Sequence, residues 1–168
     1  MKKINTLFLF LLSIILLSGC KGLTKSKESA FLDIYQGIEF NNDMILAEDP
    51  LAPNNGYLGS EIDLVLQNKS TNEISIELSK DIQLFTYSDK QKKWIKLTNK
   101  FTYSPGGAII YSEEENKISN ALVLVWPEVY DFNTSISVRV VVIGHSKQIG
   151  GTLKDIGAYY DTNLIPLD

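Results

Sequence analysis

Residues 61–78, EIDLVLQNKSTNEISIEL, decide the fold because apolar and polar side chains alternate along them with a period of two. Two sets of apolar residues each fall on one face of an extended chain: Ile62, Leu64 and Leu66, then Ile74, Ile76 and Leu78. Such alternation is typical of strands that are buried on one face only. Between the two sets, Asn68–Asn72 is rich in side chains that hydrogen-bond their own backbone in turns. The segment therefore predicts two strands joined by a turn.

Further short runs of the same kind lie on both sides of this segment. They are IQLFTY (82–87), WIKLT (94–98), ALVLVW (121–126), ISVRVVVIG (136–144) and AYYDTNLI (158–165). The polar residues 88–91 separate the first two runs and predict a hairpin. Roughly seven short strands, with a turn about every 8–12 residues, are the pattern of a β-sandwich.

Three stretches of the chain resemble immunoglobulin-like sandwiches of the kind that is common in bacterial envelope lipoproteins. They are LVLQNKSTNEISI, LFTYSDKQKKWIKL and GAYYDTNLIPL, and the resemblance extends over residues 31–168. It implies an all-β, antiparallel, immunoglobulin-like sandwich. The cysteine pair of antibody-type domains is missing, and the resemblance implies no catalytic residues, because one fold supports many functions.

Two runs, Leu122–Trp126 and Val138–Ile143, are apolar on both faces except at Arg139. We expect them to be central strands that the chain itself covers on both sides. The alternative is an exposed apolar patch that a partner would occupy.

The segment 31–46 fits two patterns. Helical spacing relates Phe31, Ile34, Tyr35 and Ile38, whereas Leu32, Ile34, Ile38 and Phe40 fit a strand interrupted by Gly37. We expect a strand pair here.

The first 20 residues have the features of an export signal. A basic head that contains Lys2 and Lys3 precedes the apolar run Leu7–Leu17, which is shorter than the roughly 20 residues of a membrane-spanning helix. The sequence LSGC at 17–20 resembles the lipobox of bacterial lipoproteins. The resemblance implies that residues 1–19 are removed and that a lipid is attached to Cys20, the only cysteine of the chain. Two acyl chains would anchor the protein stably.

The composition of the chain limits the classes of partner and the location that we expect for the domain. Residues 20–30 are polar and rich in lysine, which indicates a flexible tether between the lipid and the domain. The alternative is that Lys21, Lys25 and Lys27 bind lipid headgroups. We expect the domain to face the periplasm or the cell exterior, on the cell membrane or the outer membrane. The formal net charge of −4 argues against nucleic acid as a partner and against a polybasic contact with lipid.

No motif indicates catalysis, a metal or a cofactor. His145 is the only histidine, whereas a zinc site gathers several His or Cys ligands. Its GHS context suggests a loop, and no nucleophile elbow accompanies it. The acidic run Glu113–Glu115 lacks the alternating spacing of a calcium loop and indicates a solvated loop.

Aromatic residues remain as binding candidates. Trp94 and Trp126 are expected to pack in the core or on a sheet. Tyr87, Trp94, Tyr159 and Tyr160 are candidates for an alternative role, in which they would stack on a sugar or anchor a protein.

We therefore expect a lipid-anchored binding or accessory module of the cell envelope that recognises a protein or a glycan. The alternative is a small envelope hydrolase with a carboxylate-based site, or with His145 beside Ser146.

Overall fold

The computed structural model describes residues 26–112, 119–129 and 133–166. In these residues two short helices accompany ten strands. In chain order they are α1 (Lys27–Leu32), β1 (Glu39–Phe40), β2 (Met44–Glu48), β3 (Ile62–Asn68), β4 (Ile74–Ile76), α2 (Leu78–Asp81), β5 (Ile82–Ser88), β6 (Lys93–Leu97), β7 (Ala108–Ile110), β8 (Asn120–Val125), β9 (Ile136–Lys147) and β10 (Leu153–Leu164).

The strands form two sheets that pack face to face. One sheet contains β1, β10, β9, β4 and β7 in that order, with β5 and β6 joined through β9, and the other has the order β2-β3-β8. All pairs are antiparallel except the short β1–β10 pair, which is parallel. This arrangement confirms the predicted all-β sandwich, including the β5–β6 hairpin and the closing strand β10.

Alternation in the sequence becomes alternation in burial. Along β3 every second residue from Ile62 is buried, and the same holds for β4. The apolar faces of both sheets meet in one core and so remove apolar surface from water, the dominant favourable contribution to folding. Leu78 is an exception, because the chain leaves β4 at Ile76 and forms the short helix α2.

The turn after β3 carries the chain from one sheet to the other. Asn68 is fully buried, and its side-chain amide donates to the carbonyls of Asn72 (2.7 Å) and Ile110 (3.0 Å). Its Oδ1 accepts from the backbone N–H of Ser70 at 2.9 Å. The turn residues therefore satisfy the backbone where strand pairing stops.

Strand β9 is central and is covered on both sides. Its even-numbered valines, Val138, Val140 and Val142, face the core between the sheets, while Val141 and Ile143 belong to a second apolar cluster under α1. The expectation of a strand with two covered faces is confirmed here. For Leu122–Trp126 it is wrong: Leu122 is 49% exposed and Trp126 is 40% exposed, because no element of the described chain packs over that face.

The strand pair expected over 31–46 is only partly correct. Residues Lys27–Leu32 form a helix, which begins at Ser26, whose Oγ accepts from the N–H of Ser29 at 3.0 Å. The end of the expected tether is thus helical. β1 and β2 follow but lie in different sheets. The ring of Phe40 in β1 rests directly over Gly157, where any Cβ would collide with it.

None of the helices in the described ranges is long and apolar enough to cross a membrane.

Candidate binding surfaces

The outer face of the three-stranded sheet bears a row of apolar side chains, which we call the apolar strip: Ala47, Val65, Leu122, Leu124 and Trp126. Register places Ala47 opposite Val65 and Val65 opposite Leu122, so the strip crosses all three strands. The exposed face of an antiparallel sheet is ordinarily polar. Apolar side chains gathered on such a face make it a candidate site of interaction.

The chain itself covers the edge of β8 beside the strip. The hydroxyl of Tyr103 donates to the carbonyl of Leu124 (2.7 Å) and accepts from its N–H (2.6 Å). Trp126 is the next residue whose side chain lies on the outer face. Its carbonyl accepts from the Lys100 N–H at 2.8 Å, and its N–H donates to Asn99 Oδ1 at 2.8 Å. Burial raises the pKa of Tyr103 above its usual value. At Leu124 and Trp126 a partner would therefore meet side chains, since the backbone groups are already satisfied.

A polar group without a partner lies next to the strip. Asp63 is opposite Leu124, and its N–H donates to Asn54 Oδ1 at 2.9 Å. Within the described residues, Asp63 Oδ1 is buried and makes no hydrogen bond. A buried carboxylate oxygen without a donor is costly, and because the oxygen is enclosed it is not open to a partner.

The outer face of the larger sheet has a different character, which centres on Arg139. The guanidinium is only 4% exposed and makes two hydrogen bonds of 2.7 Å with Asp161 on the neighbouring strand. It also contacts Glu28 of α1 at 3.0 and 3.3 Å. Three rings surround it, with centroids 4.4 Å (Phe31), 4.6 Å (Trp94) and 3.9 Å (Tyr159) from Arg139 Cζ.

These contacts explain why a charge can be buried here. Burial alone would lower the pKa of Arg139, but the hydrogen bonds to Asp161 and Glu28 outweigh it and raise the pKa above its ordinary value. The aromatic faces add cation–π attraction. In the sequence, this site is visible only as a single arginine inside an apolar run, and nothing there indicates that Asp161 and Glu28 bind it.

Helix α1 covers this cluster and is fixed to the β5–β6 hairpin. The Trp94 indole N–H donates to the Lys27 carbonyl at 2.9 Å. Lys27 Nζ lies 4.9 Å from the ring centroid of Trp94 and 5.7 Å from that of Tyr87. Trp94 is 8% exposed, so its ring belongs to the packing and not to an open platform.

The four predicted aromatic residues do not form one surface. Tyr87, Trp94 and Tyr159 lie in the cluster around Arg139 and α1, and Tyr159 Oη is 3.3 Å from Glu28 Oε1. Tyr160 packs against the core on the opposite face of β10. Desolvation raises the pKa of both Tyr159 and Tyr160, and the charge of Glu28 adds to the rise at Tyr159. A binding role for these side chains remains a prediction. Trp126, expected to be packed, is instead exposed in the apolar strip.

His145 lies within β9, not in the loop that its sequence context suggested. Its Nδ1 is 2.7 Å from Asp155 Oδ1, and its Nε2 is 3.8 Å from Asp81 Oδ2. Ser146 is buried on the opposite face of the strand, where Gln148 Nε2 donates to it at 3.0 Å. The two residues are therefore not brought together as a nucleophile and a base.

Two neighbouring cavities lie between α2, β5 and residues 96–103. The larger one, of about 510 Å³, is lined by Ser79, Lys80, Ile82, Gln83, Leu84, Lys96, Leu97, Thr98 and Asn99. The smaller one, of about 180 Å³, is lined by Leu78, Ser79, Ile82, Asn99, Phe101, Thr102 and Tyr103. Neither lining contains a carboxylate or a histidine. Across the described parts of the chain, no group of three or more His, Cys, Asp or Glu side chains could hold a metal ion.

The predicted leader 1–19, Cys20 and Glu113–Glu115 lie outside the described residues, so lipid attachment stays a prediction.

The fold and surfaces define the chain as an all-β sandwich with an apolar strip on one face and a helix-covered aromatic cluster on the other. No protein-family model matches the sequence, and no curated protein matches it. Among solved structures, the chain is similar to the ASH/PapD-like domain of human CEP192 (PapD-like domain 7). The identity is 11% and the TM-score is 0.41, over 75% of this chain and 86% of that chain. The assignment of the fold therefore rests on the strand pairings themselves.

Proposed function

We propose that this chain is a non-catalytic binding module of the bacterial cell envelope, anchored by lipid on Cys20, which recognises a protein partner through the apolar strip. The observation that supports it most directly is that Leu122 and Trp126 are exposed and lie with Leu124 and Val65 on one face of the smaller sheet. Apolar aromatic and aliphatic side chains at the centre of an interface provide most of the binding energy.

The strip also indicates what the partner presents. Leu122 is exposed and Leu124 is half-buried on the same face. A matching surface would therefore place an aliphatic or aromatic group on these two side chains. Asp63 Oδ1, beside Leu124, is buried and closed to a partner.

The other candidate functions have less support. Stacking on a sugar needs an open aromatic face, whereas Trp94 is almost fully buried under α1. Trp126 is exposed, but Lys100 Nζ already lies 5.8 Å from its ring centroid. A carboxylate hydrolase needs two acidic groups in one pocket, and the linings of the two cavities described above include none. Protein recognition is thus the better hypothesis.

The partner site is tested by crosslinking in intact cells with three forms of the protein: wild type, Leu122→Asp and Ile149→Asp. Both substitutions place a charge on an exposed apolar residue, but Ile149 is in the β9–β10 hairpin, away from the strip. Wild type and Ile149→Asp should recover the same protein in similar amounts, and Leu122→Asp should lose most of it. Equal recovery with Leu122→Asp would show that the strip is not the site.

The anchor is tested separately by fractionation. Replacement of Cys20 by Ser removes the sulfur that would receive the lipid, and the protein should move from the membrane to the soluble fraction. If the Cys20→Ser form stayed in the membrane, lipid on Cys20 would not be the anchor.

A further inference from the structure

Four exposed lysines are gathered at one end of the larger sheet, and we call them the basic tip: Lys27, Lys90, Lys92 and Lys93. Lys90 and Lys92 lie in the loop of the β5–β6 hairpin, and Lys93 is the first residue of β6. Lys27 joins them from α1, because its Nζ lies over Trp94 and Tyr87, the cross-strand pair next to Lys93. The contact between hairpin and helix thus assembles charges that are far apart in the sequence.

Few negative charges compensate the tip. The hairpin loop contains one acid, Asp89, whose carboxylate is 3.7 Å from Lys92 Nζ with both side chains largely exposed. Such a pair contributes little. In the described part of the chain, Lys90 and Lys93 form no ion pair, unlike Lys80 with Glu77 and Lys154 with Glu39. Beside the tip, Glu28 and Asp161 share Arg139, which leaves one further negative charge. Four lysines still outnumber these acids, so the tip is positive although the whole chain has a net charge of −4.

The short segment between Cys20 and α1 limits how far the basic tip can lie from the lipid anchor. Helix α1 begins at Lys27, within the tip, and only residues 21–26 separate it from Cys20. A chain of that length reaches roughly 20 Å when fully extended. With Cys20 anchored, the tip is thus an end of the domain that stays close to the membrane surface.

We infer that the basic tip binds the anionic lipid headgroups of the membrane that holds the anchor and so orients the domain on it. The inference rests on the proposed lipid anchor. Lysines near an anionic surface are attracted to it, and this attraction falls off within a Debye length of about 8 Å. The contact would be weak for a free domain, but the anchor supplies the high effective concentration at which it forms.

This orientation has a consequence for the proposed partner site. The basic tip is formed by α1, on the outer face of the larger sheet, and by the end of a hairpin of that sheet, whereas the apolar strip lies on the outer face of the other sheet. A domain held by its tip therefore keeps the strip free of lipid and open to a protein beside it.

The test uses the lipidated full-length protein in vesicles with a spin label at Gln91→Cys. Since Cys20 is the only native cysteine and carries the lipid, the label is unique. A matched label at Ile149→Cys lies in the hairpin at the opposite end of β9, and it reports a region that stays in water. One set of vesicles is phosphatidylcholine alone, and the other contains about 30% phosphatidylglycerol, whose charge attracts lysines.

In anionic vesicles the label at residue 91 should lose most of its accessibility to a water-soluble relaxation agent, and in neutral vesicles it should not. Salt at about 0.5 M should restore accessibility, because it shortens the Debye length, and so should the triple change Lys90→Glu, Lys92→Glu and Lys93→Glu. The label at residue 149 should stay accessible throughout.

Flotation of the same samples distinguishes a failure of the lipid anchor from a failure of the lipid-binding tip. If the protein floats with both vesicles but residue 91 is equally accessible in each, the basic tip does not bind lipid and the anchor stands. If residue 91 is shielded equally in neutral vesicles, or in the triple variant, charge is not the cause and the inference is overturned. If the protein floats with neither, the anchor is wrong, and the inferred orientation is overturned with it because it rests on the anchor.

Discussion

Arg139 shows how a single residue can connect distant parts of the chain. Its carboxylate partners are Asp161 on the neighbouring strand and Glu28, which lies 111 residues away in the sequence. The guanidinium fork matches two carboxylates and also stacks on rings, which lysine does not do equally well. The side chain therefore fixes α1 to the sheet by a contact that depends on geometry as well as on charge.

Replacement of Arg139 by Ala should lower the free energy of unfolding by about 2–3 kcal/mol, because it removes charge-assisted hydrogen bonds and the packing of the buried guanidinium against three rings. The cost is limited because Glu28 and Asp161 are about half exposed and can be hydrated. Arg139→Lys should retain part of the stability, since it keeps the charge and loses the two-pronged geometry. Urea unfolding measures both. The control is Lys154→Ala, which removes a largely exposed ion pair with Glu39 and should cost at most about 1 kcal/mol. A loss at Arg139 no greater than that of the control would contradict this account.

At this scale the sequence predicted less than the structure contains. A lone arginine in an apolar run can be recognised in ISVRVVVIG, but its partners cannot, because long-range pairing depends on the register of β9 with β10 and on the docking of α1. The exposure of Trp126 is similar: the sequence predicts a strand residue, whereas its surroundings depend on which elements pack over that face.

At the scale of elements, α1 is held by one deeply buried side chain. Phe31 is fully buried and contacts the rings of Tyr35, Phe40, Phe85, Trp94 and Tyr159 at centroid distances of 5.2–6.5 Å. A helix of six residues is unstable alone, so its stability comes from this contact, from Glu28 with Arg139 and from the cap at Ser26. Local sequence patterns contain little of this information, which is why a strand was expected there.

Phe31→Ala should cost about 3–5 kcal/mol, through lost burial and the cavity left behind. It should also release α1, so hydrogen exchange of residues 27–35 should accelerate and the fluorescence of Trp94 should shift to the red. Leu32→Ala is the matched control in the same helix, because Leu32 is 46% exposed. If both variants behaved alike, α1 would not be docked through Phe31.

The strands, in contrast, were predicted well, because a period of two in the sequence is enough to define a strand with one buried face. What the period cannot define is the sheet to which a strand belongs. β3 and β4 follow each other across a short turn and yet lie in different sheets. The distinction depends on tertiary pairing with β8 on one side and β9 on the other.

At the scale of the whole molecule, overall composition concealed the distribution of charge. The net charge of −4 predicted no electrostatic attraction to lipid, whereas the docking of Lys27 on the β5–β6 hairpin concentrates lysines at one end. A sum over the chain is insensitive to such asymmetry. The sequence offers headgroup binding by Lys21, Lys25 and Lys27 only as an alternative to a tether, and the contribution of Lys90, Lys92 and Lys93 depends on the docking of α1 on the hairpin.

The pH dependence of stability is a property of the whole fold, and tyrosines dominate it at high pH. Desolvation raises the pKa of Tyr35 from 10.0 to about 12, and it also raises the pKa values of Tyr103, Tyr159 and Tyr160. The folded protein therefore keeps phenolic protons that the unfolded chain releases above pH 10. This contribution to stability is complete below pH 10 and is lost as the pH rises from 10 to 12.

Tyr35→Phe isolates one part of this effect. The variant keeps the ring that packs against Phe31 and Phe40 but loses the hydrogen bond of 3.2 Å to Gln83 Oε1. At pH 8 the wild type should be the more stable by about 1 kcal/mol. Between pH 10 and 12 this advantage should shrink and then reverse, because only the wild type must take up a proton at Tyr35 on folding or bury a phenolate. Urea unfolding of both proteins at intervals from pH 8 to 12 measures the difference, in which the other titrating groups cancel. A difference that stayed constant across this range would mean that Tyr35 ionises in the folded protein as it does in the unfolded chain.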